Sequence, residues 1–592
     1  MRKLVSLVIA ALLVLSCMIV PAAVAEGYQM SPKTQEAIDA GLVVLDGSQG
    51  TTIITDPDAF EAKYGKISML FVNSADRTVP VEELAMVQRW EADTGVRFDW
   101  QSIPGDGAQE KINLMLTSGD KLPDAFWNFG DGKSTTIVVN ALGQDVFMPT
   151  EDLIAEFMPT LTKILEDNPN YKQEVTAPDG HTYGFPYIEQ MFGLVLTPGP
   201  LLINQNWLDA VGKDMPTTPD EFLDVLRAFK EAGDLNGNGI DDEIPMATIF
   251  GAGNGDTFGS YDMFYRFTGA FGCEDTVCGG YENANHLRQI DGKVTYTAID
   301  PAFGETAKFF HTLYEEGLMN KDCFEPMSSG TYYTNNEIDQ DIALVGAFGV
   351  WTDMDINNNA VRHEYVPIPQ MSSDLGTVGN ALNYSELQDA CDTAISMDCE
   401  FPEIIAAFVE YMISDPQLSV QSNWGAIGGN YYLADDGVMR FHLDENGDII
   451  TGTEWGDFGN NFGKARTNTT TARGSMIVLN EYYNTEDQPD GVVEYTYDAA
   501  NLLAFQIVNG KNEDLAKYDT IPKIMLTNEE QQEISRLVEV TNPIVKRYVQ
   551  EWVTNGDVDS TWDAYVSELQ GAGIDRIVEI YQVALDRING AA

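Results

Sequence analysis

An α/β fold divided among two or three compact lobes is predicted by three features of the sequence. Apolar, strand-like runs alternate with segments of helical periodicity from Ile67 onward. At 592 residues the chain is too long for a single hydrophobic core. Its hydrophobic content of 44% supplies packed interiors and leaves no case for disorder.

The first strand is expected at Ile67–Val72, followed by a helical pattern from Val81 to Thr94 and a strand at Val96–Trp100. A helix over Gln109–Thr117 leads through SGDKLPD into a short strand, Ala125–Trp127. After TYGFPY (Thr182–Tyr187) come Leu201–Asn204 and a helix around Trp207–Val211. Thr218 is placed to cap a helix beginning at Pro219, with Glu221 reaching back and Phe222, Leu223, Val225, Leu226 and Phe229 on its apolar stripe. Helix Phe303–Glu316, strand Ile342–Phe348 and helix Glu403–Ile413 continue the alternation. Thr527 and Glu530 open a helix to about Val553, and further helices start at Trp562 and Asp575. Trp90, Trp207, Trp552 and Trp562 lie in helical patterns and are expected in cores.

Asp and Glu total 92 against 34 Lys and Arg, a formal charge of -58. A surface so negative repels phosphate backbones and anionic headgroups, which argues against nucleic-acid or membrane-surface binding. Arg2 and Lys3 precede an apolar run from Leu4 to Val20, and Ala23-Val24-Ala25 offers small residues for cleavage. Residues 1–25 therefore read as a secretory signal peptide. Cys17 raises lipid anchoring as an alternative, which the bulky Leu15 disfavours. Export permits disulfides, but the spacing of Cys273, Cys278, Cys323, Cys391 and Cys399 does not fix their pairing.

DLNGNGIDDEIP (Asp234–Pro245) carries the sharpest chemistry. Asp234, Asn236 and Asn238 place oxygens at every second position, and Gly237 and Gly239 let the chain curl around them. Asp242 and Glu243 add carboxylates and Ile240 a backbone carbonyl, a hard-oxygen set suited to Ca²⁺. Pro245 occupies the twelfth place, where an EF-hand needs a bidentate carboxylate, so the loop departs from that pattern. The plainer alternative is an acidic turn without metal. A local ligand set of this kind stiffens a loop and activates no water.

Catalytic signatures are missing. None of the five histidines forms HExxH, and neither a GxSxG elbow nor a P-loop occurs. GAGNGDTFG (Gly251–Gly259) misses the dinucleotide spacing. A secreted glycosidase would need a distinct carboxylate pair, and 92 acidic residues single none out. The sequence reads as a non-enzyme.

Several segments together resemble the extracellular solute-binding proteins of family 1, in particular the LipO-like, alginate-oligosaccharide-binding-like branch. They are INLMLTSGDKLPDAFW, TYGFPY, INQNWLDAVGKDMPTTPDEF, DLNGNGIDDEIP, AFGETAKFFHTLYEEGL, ALVGAFGVW, EYVPIP and DAYVSELQGAGIDRIVEIYQ, in family order from about Lys66 to Ile588. The resemblance implies a two-lobed periplasmic-binding-protein-like fold (type II) with a helical C-terminal extension. Lobe 1 is then expected from residues 63–186 and 341–378, and lobe 2 from 187–340 and 379–592. Residues 26–62 are expected to form an N-terminal extension. The resemblance further implies structural calcium at Asp234, Asn236, Asn238, Ile240, Asp242 and Glu243. It also implies a monomer that closes by hinge bending on an oligosaccharide and docks on ABC transporter permease subunits. A peptide or another non-sugar solute is the alternative ligand.

Ligands of open α/β sheets bind beyond the carboxyl ends of strands. Trp127 ends one predicted strand and Trp351 follows another, so both are candidates to stack on sugar faces. Trp424, in NWGAIGG, is a loop aromatic, and Tyr187 suits ligand contact or hinge packing. Asn128, Asp131 and Glu189 are the candidates for bonding hydroxyls.

Overall fold

Strand β1 (Ile67–Asn73) is apolar on both faces because it lies inside a sheet, parallel to β2 (Phe98–Pro104) on one side and β3 (Ala125–Trp127) on the other. The chain is described here by a computed structural model covering residues 28–590 apart from 75–76, 106, 129–144, 197–198, 251–261, 274, 276–285, 326–341, 351–355, 357–358, 377–383, 446–448, 486–487 and 495–519. Strand β4 (Phe185–Glu189) completes the first pass through this sheet.

The chain then crosses to a second sheet. It contributes β5 (Leu201–Asn204) and β6 (Ile244–Met246) there, forms a separate hairpin of β7 (Leu287–Ile290) and β8 (Lys293–Tyr296), then adds β9 (Val345–Gly349) and β10 (Tyr365–Pro367) to the second sheet. It returns as β11 (Leu387–Ile395), inserted antiparallel between β3 and β4. A small sheet follows with β12 (Tyr431–Leu433), β13 (Met439–Leu443) and β14 (Ile449–Ile450). Strand β15 (Ile477–Val478) rejoins the first sheet beside β4, and β16 (Tyr483–Asn484) and β17 (Val493–Glu494) complete the small one. The two main sheets are ordered β15-β4-β11-β3-β1-β2 in lobe 1 and β10-β5-β9-β6 in lobe 2.

This pairing corrects the expected lobe boundaries. Residues 341–378 belong to lobe 2, because β9 pairs with β5 and β6 and shares their core. The part of 379–592 through β15 belongs to lobe 1, since β11 and helix Pro402–Ser414 pack in the core of β1–β4. The N-terminal extension, described from residue 28 to 62, packs onto lobe 1. Ala37, Val43, Ile53, Ile54 and Phe60 are buried in lobe 1. Buried Glu403 accepts from Tyr28 Oη at 2.7 Å, Ser31 N at 2.5 Å and Thr34 Oγ1 at 2.6 Å, fastening this segment down.

The carboxyl-terminal helices complete lobe 2. Helix Asn528–Asn555 opens on the Thr527/Glu530 capping box, and helices Val558–Ala572 and Ile574–Ile588 follow. Trp552, Tyr565, Ile577 and Tyr581 join Trp207, Phe222 and Phe229 in one core. Trp90, Trp207 and Trp552 are fully buried, as their helical periodicity predicts. No helix among the described residues is long and apolar enough to cross a membrane.

The strand directions place the cleft. In lobe 1, β1–β4 and β15 run parallel, so their carboxyl ends share one edge, where β11 also begins. In lobe 2, the ends of β6, β9 and β10 and the start of β5 share one edge, since Leu201 pairs with Gly349 and Pro367 with Leu202. The connections 190–200 and 368–386 join these two edges directly. A third connection passes the same edge, where Lys523 N donates to Glu174 Oε1 at 2.8 Å and Lys523 Nζ to the Gln388 carbonyl at 3.1 Å. The lobes thus face each other across the carboxyl ends of their strands.

Candidate functional site

Trp127 closes β3 at this edge, but its ring is enclosed. It is 1% exposed and packs against Trp90, Trp100 and Phe408, with ring centroids 6.2–6.3 Å apart. Its indole nitrogen donates to the Arg473 carbonyl at 2.8 Å. The expectation of an open stacking platform is corrected: the chain through Arg473 and Gly474, far along in sequence, lies against the ring and covers it. Asn128 follows in a left-handed conformation (φ 56°), its amide donating to the Val72 carbonyl at 3.3 Å. Its side chain therefore braces the strand ends. Asp131 and Trp351 lie outside the described residues, Trp351 just beyond β9.

Tyr187, Glu189 and Trp424 are brought together. Glu189 is buried at the end of β4, with Oε2 accepting from Trp424 Nε1 at 3.1 Å and from Asn423 Nδ2, and Oε1 from Tyr483 Oη at 3.3 Å. Tyr187 Oη lies 3.4 Å from the Asn423 amide. Burial pushes the Glu189 carboxyl up to about 8, although Arg466 and the three donors draw it down. Burial also raises the Tyr187 phenol, with Glu189 adding to the rise and Arg466 and Arg473 opposing it. Arg466 covers the Trp424 ring at 4.2 Å and donates to the carbonyl and side-chain oxygens of Asn423, both at 2.7 Å. With its nitrogen engaged and one face covered, Trp424 is part of a buried polar cluster rather than an exposed platform.

The sequence reading missed the residues that organise this cluster, Asn423, Arg466 and Tyr483, and Arg77, which braces the neighbouring loop. One signal was available. Residues 458–480 hold Lys464, Arg466 and Arg473 and no Asp or Glu, in a chain otherwise dense with acid. Arg77 is itself buried, its guanidinium pushed down to about 10 by desolvation, and it donates to the carbonyls of Thr470 (2.9 Å) and Thr471 (3.0 Å).

The oxygen-rich loop lies elsewhere. It joins helix Pro219–Ala232, capped by Thr218 as expected, to the amino end of β6, on the side of lobe 2 away from the crossovers. Gly237 and Gly239 take φ of 75° and 85°, the conformations that curl it. Asp234 Oδ2 accepts from Gly239 N (3.0 Å), Asn236 Oδ1 from Asn238 N (2.9 Å), Asn238 Oδ1 from Ile240 N (2.7 Å) and Glu243 Oε1 from Leu235 N (2.6 Å). Asp242 lies 3.1 Å from the Asn238 amide. Among the described residues no three His, Cys, Asp or Glu side chains gather as a metal group. The loop's donor set is of another kind, carboxylates mixed with amides and a carbonyl, which is the chemistry Ca²⁺ accepts. Cys273, Cys323, Cys391 and Cys399 are all free thiols. Cys391 instead donates to the Tyr183 carbonyl at 3.2 Å.

Comparison with known proteins fits this geometry. A family model described as bacterial extracellular solute-binding protein matches residues 76–336. The "Fructooligosaccharide ABC transporter substrate-binding protein FusA" of Streptococcus pneumoniae is 31% identical over 591 residues, covering 95% of this chain and 98% of that one. The chain belongs to the bacterial extracellular solute-binding proteins. Two solved structures of FusA match 89% of this solute-binding protein and 100% of theirs at 30% identity. One, an EF-hand mutant with fructo-nystose, has a TM-score of 0.72; the other, with kestose, has 0.71. The two-lobed type II fold is therefore shared along almost the whole length. Membership makes the chain a binding protein rather than an enzyme.

Proposed function

We propose that this solute-binding protein captures a neutral oligosaccharide between its two lobes and delivers it to the permease subunits of an ABC importer. One observation carries the reading: the likeness to a fructooligosaccharide-binding protein spans both lobes and every crossover between them. Contacts made by both lobes favour the closed form only through their difference in affinity for the two forms. The protein acts as a monomer. Arg2, Lys3 and the apolar run to Val20 support export, with cleavage after Ala25 preferred over a lipid anchor at Cys17.

Asp234, Asn236, Asn238, Ile240, Asp242 and Glu243 would hold one Ca²⁺, whose part is to tie the helix Pro219–Ala232 to β6. Its place at the amino end of β6 gives it no access to the ligand.

Isothermal titration of the purified mature chain with kestose, other neutral oligosaccharides and a peptide pool tests the reading. Saturable binding of an oligosaccharide without turnover is expected. Binding of peptides alone, or release of product, would overturn it.

A further inference from the structure

The three segments that pass between the lobes meet on one short helix of lobe 1, Pro169–Glu174. Two of its side chains, one turn apart, gather them. The Tyr171 hydroxyl accepts from Gln190 Nε2 at 3.1 Å on the first connection and donates to Glu386 Oε2 at 2.9 Å on the second. Glu174 accepts from the Ser385 hydroxyl on the second connection and from Lys523 N at 2.8 Å on the third. Cross-ties complete the knot. Glu189 N donates to the Glu386 carbonyl at 3.1 Å, and Lys523 Nζ to the Gln388 carbonyl at 3.1 Å. On the same helix, Gln173 Nε2 donates to the Ile588 carbonyl at 3.0 Å, where the last helix of lobe 2 ends.

The helix itself is fixed to lobe 1. Tyr171 and Glu174 are 2% and 1% exposed, and Tyr171 and Val175 belong to that lobe's core. A carboxyl so buried is costly unless its oxygens are bonded, and both are taken up by the connecting segments. At lobe 2 the connections are held by three separate elements. Arg266 Nη1 donates to the Gly199 carbonyl at 2.5 Å, Ser372 N to the Thr217 carbonyl at 3.0 Å, and Gln289 Nε2 to the Thr520 carbonyl at 2.9 Å. The connections thus converge in lobe 1 and fan out in lobe 2. Just past its bond to Tyr171 the first connection turns sharply, with φ of 39°, 52° and 87° at Met191, Phe192 and Gly193. Residues with a Cβ hold that conformation only under constraint.

We propose that Pro169–Glu174 is the pivot block of lobe closure, with Tyr171 and Glu174 as positioning residues that make the three connections turn as one. The proposal rests on the closure of the lobes described under the proposed function, and it holds whichever solute they enclose. Three independent tethers would let the lobes twist and slide as well as swing, and that added freedom is lost when both grip one guest. A shared node at one end removes it before binding. The Gln173 contact fits the same geometry, because groups near a rotation axis move least. Both Tyr171 and Glu174 are buried, so they act through the connections rather than by touching a solute.

Hydrogen exchange on the full mature chain, without ligand, tests the coupling. Tyr171→Phe removes the hydroxyl that joins Gln190 to Glu386, and Glu174→Gln keeps the side chain's size while turning one acceptor into a donor. Each variant is expected to speed exchange at least tenfold at all three lobe 1 ends, residues 188–193, 384–389 and 521–526. That includes the end each does not bond: the third for Tyr171→Phe and the first for Glu174→Gln. A merely structural role would speed only the bonded ends, or all of lobe 1 including β1 and helix Pro402–Ser414. Either pattern would overturn the pivot block and leave closure standing. Small-angle scattering and titration with kestose form the second arm. The parent is expected to compact on binding, and each variant to bind at least threefold more weakly. Parent-like affinity in both variants would overturn the pivot block alone. A parent that binds kestose without compacting would overturn closure, and the pivot block with it.

Discussion

The Trp424 indole nitrogen donates to Glu189 across 3.1 Å, both residues being buried, and joins the last residue of the helix Pro416–Trp424, not a loop as its sequence context suggests, to the end of β4. Because β4 runs from there straight into the first crossover, this bond stands where lobe 1 gives way to the connection to lobe 2. The carboxyl at its centre is titratable, and its burial sets a direction for pH dependence.

Glu189 ionises near 4.5 when unfolded and near 8 when folded, so the folded form holds the proton more tightly. The stability this lends is present below about pH 4.5 and is lost as pH rises toward 8. Glu189→Gln should therefore flatten the fall in melting temperature between pH 5 and 8 relative to the parent, in melts at matched ionic strength. Parallel curves for the two proteins would contradict the assignment.

Trp127→Ala should act first on stability. The ring is fully enclosed among three aromatic neighbours, and its removal leaves a cavity costing ~3–5 kcal/mol in urea unfolding. A variant as stable as the parent would show that the ring is not part of the core.

Calcium removal should lower the melting temperature while leaving oligosaccharide affinity within about twofold. The loop sits at the amino end of β6, and the crossovers meet the opposite edge of that sheet. Asp234→Ala should abolish the sensitivity to chelator, measured by melting with and without added Ca²⁺. A demetallated protein that melts identically in both conditions would remove the metal from the loop.

Cys273, Cys323, Cys391 and Cys399 should all alkylate after denaturation without prior reduction, counted by mass increments. Folded, Cys391 should resist: it is fully buried, and desolvation holds its thiol well above the ordinary range.

Much of the fold was legible because its signals are local. Thr218 and Thr527 cap the helices they precede, and the apolar stripe Phe222–Phe229 faces the core. The lobe boundaries were not legible. Nothing within Leu387–Ile395 says that it pairs with β3 and β4, strands lying far earlier in the chain, rather than with β10 just before it. Of the candidate site residues, the sequence made legible which ones lie at strand ends but not what covers them. Glu189, Tyr187 and Trp424 do come together, but whether a tryptophan at a strand end is covered depends on a loop hundreds of residues away, as the Trp127–Arg473 bond shows.

The fastening of residues 28–34 onto Glu403 has a mechanical consequence. Whatever grips the amino end of this chain grips lobe 1, while the last three helices are welded into lobe 2. Tension applied between the two ends is then borne by the three connecting segments before it reaches either interior. Pulled this way, the halves should part like a clasp at low force, and each should unravel only later, as a separate and larger event.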